Sequence, residues 1–240
     1  MYEYKTRVRY TDSAFNGEMS LSAVIDCFQN VFHFECDDTG VGTQDLIMKG
    51  LGWFIYFWQV DISRYPKCGE EIIVGTFAYE DRGSSEERNF YIKTVRDDII
   101  VRANSVWSLV DLAKLQIMRI PNEVMDRNRK RNEDKLDMEY LGRRIRYSGE
   151  CNIRKVGEHI VSRLELDSNR HLNNSEYIKI ALATIADFNP SSVTRLCIEY
   201  RKQAVEGDLL NIFLAREDEM IIDIRSDSCL LYTYDAADDL

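Results

Sequence analysis

The chain has 240 residues, 45% of them hydrophobic and 30% charged, which suits two domains of about 110–130 residues with buried cores. Its formal net charge of −10 argues against a nucleic-acid binder, which needs cations to neutralise phosphate. No apolar run of about 18 residues is present to span a membrane. Met1-Tyr2-Glu3-Tyr4-Lys5 lacks the basic head and apolar run of a secretion signal, so a cytoplasmic location is expected.

In chain order, Lys5–Tyr10 reads as a strand. Ser20–Asp38 predicts a helix, because Leu21, Val24, Ile25, Phe28 and Phe32 recur on one face, Ser20 can cap the start, and Gly40 and Gly42 follow the end. Runs rich in β-branched and aromatic residues predict strands at Gly52–Ile62, Glu71–Tyr79, Arg88–Thr94 and Ile99–Val110. Pro121–Gly149 is charged and poor in strand signal, as a connector is. Within it, Arg127-Asn128-Arg129-Lys130-Arg131 could dock an acidic partner by charge, or could simply face water beside Glu133, Asp134 and Asp137.

The second half repeats the order. Ile153–Leu166 reads as a strand and Ser175–Phe188 as a helix, with Tyr177, Ile180, Ala181, Thr184, Ile185 and Phe188 on its apolar stripe. Asn173 with Glu176 resembles a capping box, and Asn189-Pro190 is a stop. Strands are expected at Thr194–Lys202, Asp208–Ala215, Met220–Ser226 and Ser228–Tyr234, before an acidic tail. Sequence echoes support a duplication. Asp12-Ser13 precedes the first helix as Asp167-Ser168 precedes the second, and Gln59-Val60-Asp61-Ile62…Gly69 aligns without gaps with Cys197-Ile198-Glu199-Tyr200…Gly207. The six cysteines are scattered without Cys-x-x-Cys spacing, so neither a zinc site nor a disulfide framework is expected.

One segment is far more specific than these. Asp167-Ser168-Asn169-Arg170-His171-Leu172-Asn173-Asn174-Ser175-Glu176-Tyr177-Ile178 resembles the D-x-N-x-H-x-N-N-x-x-Y signature of acyl-acyl-carrier-protein (acyl-ACP) thioesterases. Val60–Glu71, Ala103–Asp111 and Arg119-Ile120-Pro121 are similar to other stretches of that family, and the likeness runs from about Tyr4 to Phe213. The chain thus resembles a bacterial relative of the plant fatty acyl-ACP thioesterases. That resemblance implies an α+β tandem (double) hotdog, each half an antiparallel sheet wrapped around a long central helix. It implies a non-catalytic, acyl-binding N-terminal hotdog over 1–121, a connector over 122–149, and a C-terminal hotdog over 150–240 with the catalytic motif. The implied activity is hydrolysis of fatty acyl-ACP to free fatty acid, ending fatty acid synthesis, with no cofactor or metal. Acylated carrier protein would be the partner, and a further homodimer is open to a chain that already carries both copies.

The residues themselves fit a hydrolase. In extended geometry Asp167, Asn169 and His171 would alternate onto one side, just before a helix whose free N–H groups, near Asn173 and Asn174, favour a developing oxyanion. Asn169 could position water or the carbonyl, and His171 or Asp167 could take water's proton. The same residue types also serve as ordinary caps and turns. Aligning Asp12 with Asp167 puts Ala14 opposite Asn169 and Asn16 opposite His171, which places the chemistry in the second copy. Phe28, Phe32, Trp53, Phe54, Phe57 and Trp58 could line an acyl pocket or simply fill a core. One departure matters: where the plant relatives carry Glu-Cys, this chain has Gln203-Ala204. Ala204 excludes a cysteine nucleophile there, and Gln203 can orient water but is no useful base. Two alternatives remain, an acyl-CoA thioesterase of the same fold and a non-catalytic acyl-binding protein.

Overall fold

The computed structural model describes residues 1–40, 42–122, 134–147, 152–186, 188–216 and 220–226. The basic cluster 127–131, the strand expected over 228–234 and the acidic tail lie outside the described residues. Packing divides the chain into two units, Met1–Arg143 with Asn189–Ile198, and Arg144–Phe188 with Glu199–Leu240. These units depart from two consecutive halves, since residues 134–143 and 189–198 pack with the first.

The first unit holds β1 (Tyr2–Arg7), α1 (Leu21–Asp38), α2 (Thr43–Met48), β2 (Leu51–Ile62), β3 (Glu71–Asp81), β4 (Ser85–Thr94), β5 (Ile99–Asp111) and β6 (Gln116–Met118). Its sheet runs β1-β3-β4-β5-β2, with β6 on β5 and with β8 (Arg195–Glu199) beside β2. The β2 pairing draws residues 189–198 into this unit; Ile62 N–H also donates to Thr194 O at 2.8 Å.

Ser20 caps α1 as its sequence predicts, its hydroxyl accepting the Ala23 N–H at 3.2 Å. The predicted stripe is buried at Leu21, Val24, Ile25, Phe28 and Phe32, and its two rings meet aromatic residues of the sheet. Phe28 lies 5.7 Å from Trp58 and 5.3 Å from Phe90, and Phe32 stacks on Trp107 at 4.1 Å. Each such ring contributes about 1.5–3 kcal/mol by burial alone. A charged cluster shares this core. The Arg88 guanidinium, over the Phe32 ring, donates to Glu35 and to Glu86 and Thr76 at 2.7 and 2.9 Å. Removing one partner would strand a buried charge at about 3–5 kcal/mol.

The outer face of this sheet is covered too. β5 is buried from Ile100 to Val110 except at Arg102, because residues 134–143 form a strap across it. Gln59 clamps the strap's backbone, donating to Glu139 O at 2.7 Å and accepting the Leu141 N–H at 2.9 Å. Asn89 accepts the Leu136 N–H and the Tyr140 hydroxyl, and Arg143 pairs with Glu87. Part of the charged connector is therefore packed structure, held by buried amides that satisfy its peptide groups.

The second unit holds β7 (Ile153–Ile160), α3 (Asn174–Ala183), β9 (Leu209–Arg216) and β10 (Met220–Ser226). Its sheet runs β10-β9-β7, the antiparallel order of β4-β3-β1 in the first unit. Tyr177 and Ile180 of α3 pack with Val161, Leu172, Ala204, Leu210, Ile212 and Ile224. The helix ends earlier than its stripe suggests. Thr184 turns its hydroxyl back onto Ala181 O at 2.7 Å, and its N–H bonds the same carbonyl in a tighter i−3 turn. The strand expected over Ile153–Leu166 also stops short, at Ile160, and gives way to a 3-10 turn at Arg163–Glu165. No helix among the described residues is long and apolar enough to cross a membrane.

Candidate active site

The segment leading into α3 is a closed turn, not the extended run its alternating polar residues suggest. Asp167 N–H donates to His171 O at 2.8 Å and Arg170 N–H to Asp167 O at 3.0 Å. Arg170 sits at φ 64°, in the left-handed region. Asp167 organises this loop: one carboxylate oxygen accepts the N–H of Asn169 at 2.8 Å and of His171 at 3.1 Å. This is Asx-turn chemistry, in which a short acidic side chain folds back on its own backbone. The alternation argument therefore fails here, and Asp167 enters the site as the residue that shapes it.

His171 is half-buried. That burial lowers its pKa below the ordinary imidazole value, with the Asp167 charge opposing the shift. A neutral imidazole at pH 7 is the form that can accept a proton. Asn169 is also half-buried, and its side-chain amide has no hydrogen-bond partner among the described residues. Asn173 is the N-cap of α3, its amide oxygen accepting the Ser175 N–H at 3.1 Å, and Asn174 is the first helical residue. The other two histidines are engaged elsewhere, His159 with Glu165 at 2.9 Å and His33 with Thr43 at 2.8 Å.

Gln203-Ala204 lies against this turn. Leu172 N–H donates to Ala204 O at 2.8 Å, and Ala204 N–H donates to the Tyr177 hydroxyl at 3.0 Å. Ala204 is 1% exposed and belongs to the second unit's apolar cluster, while Gln203 is half-buried beside it. Backbone hydrogen bonding thus brings two sequence-distant stretches, 167–173 and 203–204, side by side. Sequence reading missed Tyr200, whose hydroxyl donates to Asn174 O at 2.9 Å and whose ring meets Tyr177 edge-on at 5.7 Å. Only the long-range bond from residue 200 to the start of α3 reveals it.

The two units also correct the internal alignment. Asp12 N–H bonds Arg9 O as Glu165 N–H bonds Ser162 O, and Ala14 N–H bonds Glu18 O as Asp167 N–H bonds His171 O. Ser20 N–H bonds Asp12 O as Asn173 N–H bonds Glu165 O. At this constant spacing Asp12 matches Glu165, not Asp167. Asn16 then faces Asn169, Ala14 faces Asp167 and Glu18 faces His171. The first copy keeps the amide and replaces the imidazole by a carboxylate. That carboxylate is tied down, accepting from Asn16 at 3.1 Å and from the Ser191 hydroxyl.

Family models match both halves of the chain. The acyl-ACP thioesterase N-terminal domain matches residues 1–127, and the acyl-ACP thioesterase C-terminal domain matches residues 151–230, spanning the turn. The chain belongs to the acyl-ACP thioesterase family. A chloroplastic acyl-[acyl-carrier-protein] hydrolase of Cuphea viscosissima is 24% identical over 212 residues, covering 82% of this chain and 50% of that protein. The chain spans about half the length of the curated plant relatives it matches, at 50%, 43% and 42% of the first three.

Solved thioesterases fix the architecture. An acyl-ACP thioesterase from Bacteroides thetaiotaomicron superposes with a TM-score of 0.82 at 18% identity, over 94% of this chain and 91% of that one. The 12:0-ACP thioesterase of Umbellularia californica gives 0.78 at 17%, over 94% and 92%. The fold is the α+β double hotdog expected of the family. Among the described residues, no three His, Cys, Asp or Glu side chains gather where they could hold a metal ion.

Proposed function

We propose that this thioesterase-family chain hydrolyses the thioester of fatty acyl-ACP, releasing free fatty acid and so ending chain extension. The observation that carries the reading is His171, half-buried, kept neutral, and set in a turn organised by Asp167 next to Gln203. In this mechanism His171 takes a proton from water as its oxygen attacks the thioester carbonyl carbon. The tetrahedral oxyanion is stabilised by the positive end of α3 and the side-chain amides there, of Asn173 and Asn174. On collapse the C–S bond breaks and the imidazolium returns its proton to the leaving thiolate.

Asn169 and Gln203 supply amides that hold the water and the carbonyl, while Asp167 positions rather than transfers. Ala204 offers no thiol, so water attacks directly, without an acyl-enzyme. The first unit would hold the acyl chain, with acylated carrier protein the partner.

The test is release of free thiol, followed with a colour reagent, from one acyl chain carried on ACP and on coenzyme A. Faster turnover on acyl-ACP supports the reading. Preference for acyl-CoA would reassign the carrier, and acyl retention without thiol release would make the chain a binding protein.

A further inference from the structure

Arg102 is the gap in an otherwise buried strand. Its Nε is buried with no hydrogen-bond partner among the described residues, and its one hydrogen bond is a long 3.4 Å contact from Nη1 to Ile99 O. Buried donors of this kind are normally satisfied, and an unsatisfied one calls for a missing partner. The natural partner is Asp61, directly opposite on β2. Yet Asp61 turns away, accepting both prongs of Arg195, Nε at 2.6 Å and Nη2 at 3.1 Å. Arg195 then spends Nη1 on Glu139 of the strap at 2.8 Å. One guanidinium is saturated; the other, its Nε enclosed, keeps hydrogen-bonding capacity at its outer nitrogens.

Arg102 also borders an open hollow of about 370 Å³ within the first unit, lined by Asp61, Ile62, Ser63, Arg102, Thr194 and Arg195. We propose that this hollow is an oxyanion site for a phosphate group, with Arg102 as its anchor. The planar fork of an arginine matches phosphate oxygens two at a time. The Thr194 hydroxyl, without a partner among the described residues, adds a donor from the β8 side. Ser63 donates its own proton to Ile100 O at 2.9 Å, so its oxygen can only accept, which suits a protonated phosphate oxygen. The Arg195–Asp61–Glu139 chain fixes the wall and keeps Arg195 from competing. Such a group could arrive as free phosphate or as the phosphate ester of a pantetheine arm.

The experiment is titration of the full chain, in phosphate-free buffer, with inorganic phosphate, 4′-phosphopantetheine and unphosphorylated pantetheine, read by calorimetry and by melting temperature. Saturable binding of either phosphate compound, but not of pantetheine, is expected, with at least tenfold weaker binding in Arg102→Gln and weaker binding in Thr194→Val. Phosphopantetheine binding more tightly than phosphate identifies the ester as the source; equal affinities identify the phosphate alone. Because Arg102 makes only the long contact to Ile99 O, Arg102→Gln should melt where the unaltered chain melts without phosphate, and should lose the phosphate-induced rise. No saturable binding, equal binding in Arg102→Gln, or a lowered phosphate-free melting temperature in that variant, which would make Arg102 structural, would each overturn the proposal.

Discussion

Two turns, one leading into each central helix, share a backbone and differ in chemistry. Both close with the same backbone hydrogen bonds and place one residue at positive φ, Gly17 at 79° and Arg170 at 64°. In the first, glycine adopts that conformation freely, and Asn16 accepts the Glu18 N–H at 3.2 Å. In the second, a non-glycine residue is held there, and a carboxylate, Asp167, bonds two backbone N–H groups. The fold supplies the loop twice; only the second copy adds an imidazole and an acid that fixes it. In the proposed mechanism, duplication separates scaffold from chemistry.

The largest effect should come from the imidazole. His171→Ala should lower turnover on acyl-ACP by about 100-fold or more, the usual range for an acid–base group, and Asn169→Ala by at least tenfold. The matching changes in the first turn, Glu18→Gln and Asn16→Ala, should leave turnover within about twofold, since they remove no proton-transfer group. Comparable losses from both turns in steady-state assays would make the first copy a participant and erase the contrast.

Next comes the division of labour between Asp167 and His171. Asp167→Ala removes the acceptor for two N–H groups and should cost at least tenfold in turnover, with a lower melting temperature. Asp167→Asn keeps an acceptor oxygen and should retain most of the activity. Were Asp167 the base, the asparagine variant would be as inactive as the alanine one.

pH should separate the two residues further. With its pKa lowered by burial, His171 is neutral and active above the ordinary imidazole value, and kcat/KM should fall only as pH drops below it. The linkage has the same sign for stability. The folded state binds its proton less readily than the unfolded chain, so stability is whole at neutral pH and is lost as pH falls through the imidazole range. The Asp167 charge opposes the shift, so Asp167→Asn should move the acid limb to lower pH still. A limb that stays put would remove Asp167 from the electrostatics of the site.

Much of this was legible in the sequence, and what was not has physical causes. The Ser20 cap and the α1 stripe were readable because capping and a 3.6-residue period are local. The α3 stripe over-ran because Thr184 and Ile185 keep the apolar period while a tight turn closes the helix. Matching Asp12 with Asp167 followed residue identity, whereas the backbone matches Asp12 with Glu165; both close the turn before their helix, accepting the N–H of Arg9 and of Ser162. Gln59 and Asn89 sit at strand positions that alternation assigns to solvent, and only the strap shows why they are buried. His171 and Gln203 stood out by residue type and motif, but their neighbourhood depends on the Leu172–Ala204 hydrogen bond, a long-range pairing no local pattern announces.

The smallest effect tests the backbone itself. A Cβ at Gly17 would meet open space, so Gly17→Ala probes conformation alone and should destabilise by about 1 kcal/mol, the cost of the left-handed region for a residue with a Cβ. Arg170→Gly should move the other way by somewhat less than about 1 kcal/mol, because glycine also gains freedom in the unfolded chain. Denaturant melts resolve shifts of this size. Opposite signs would show that the second turn carries strain the first avoids, with Asp167 holding the loop against it. A loss of stability on Arg170→Gly would mean instead that the arginine side chain makes contacts that outweigh its backbone cost, and the two turns would differ in packing rather than in strain.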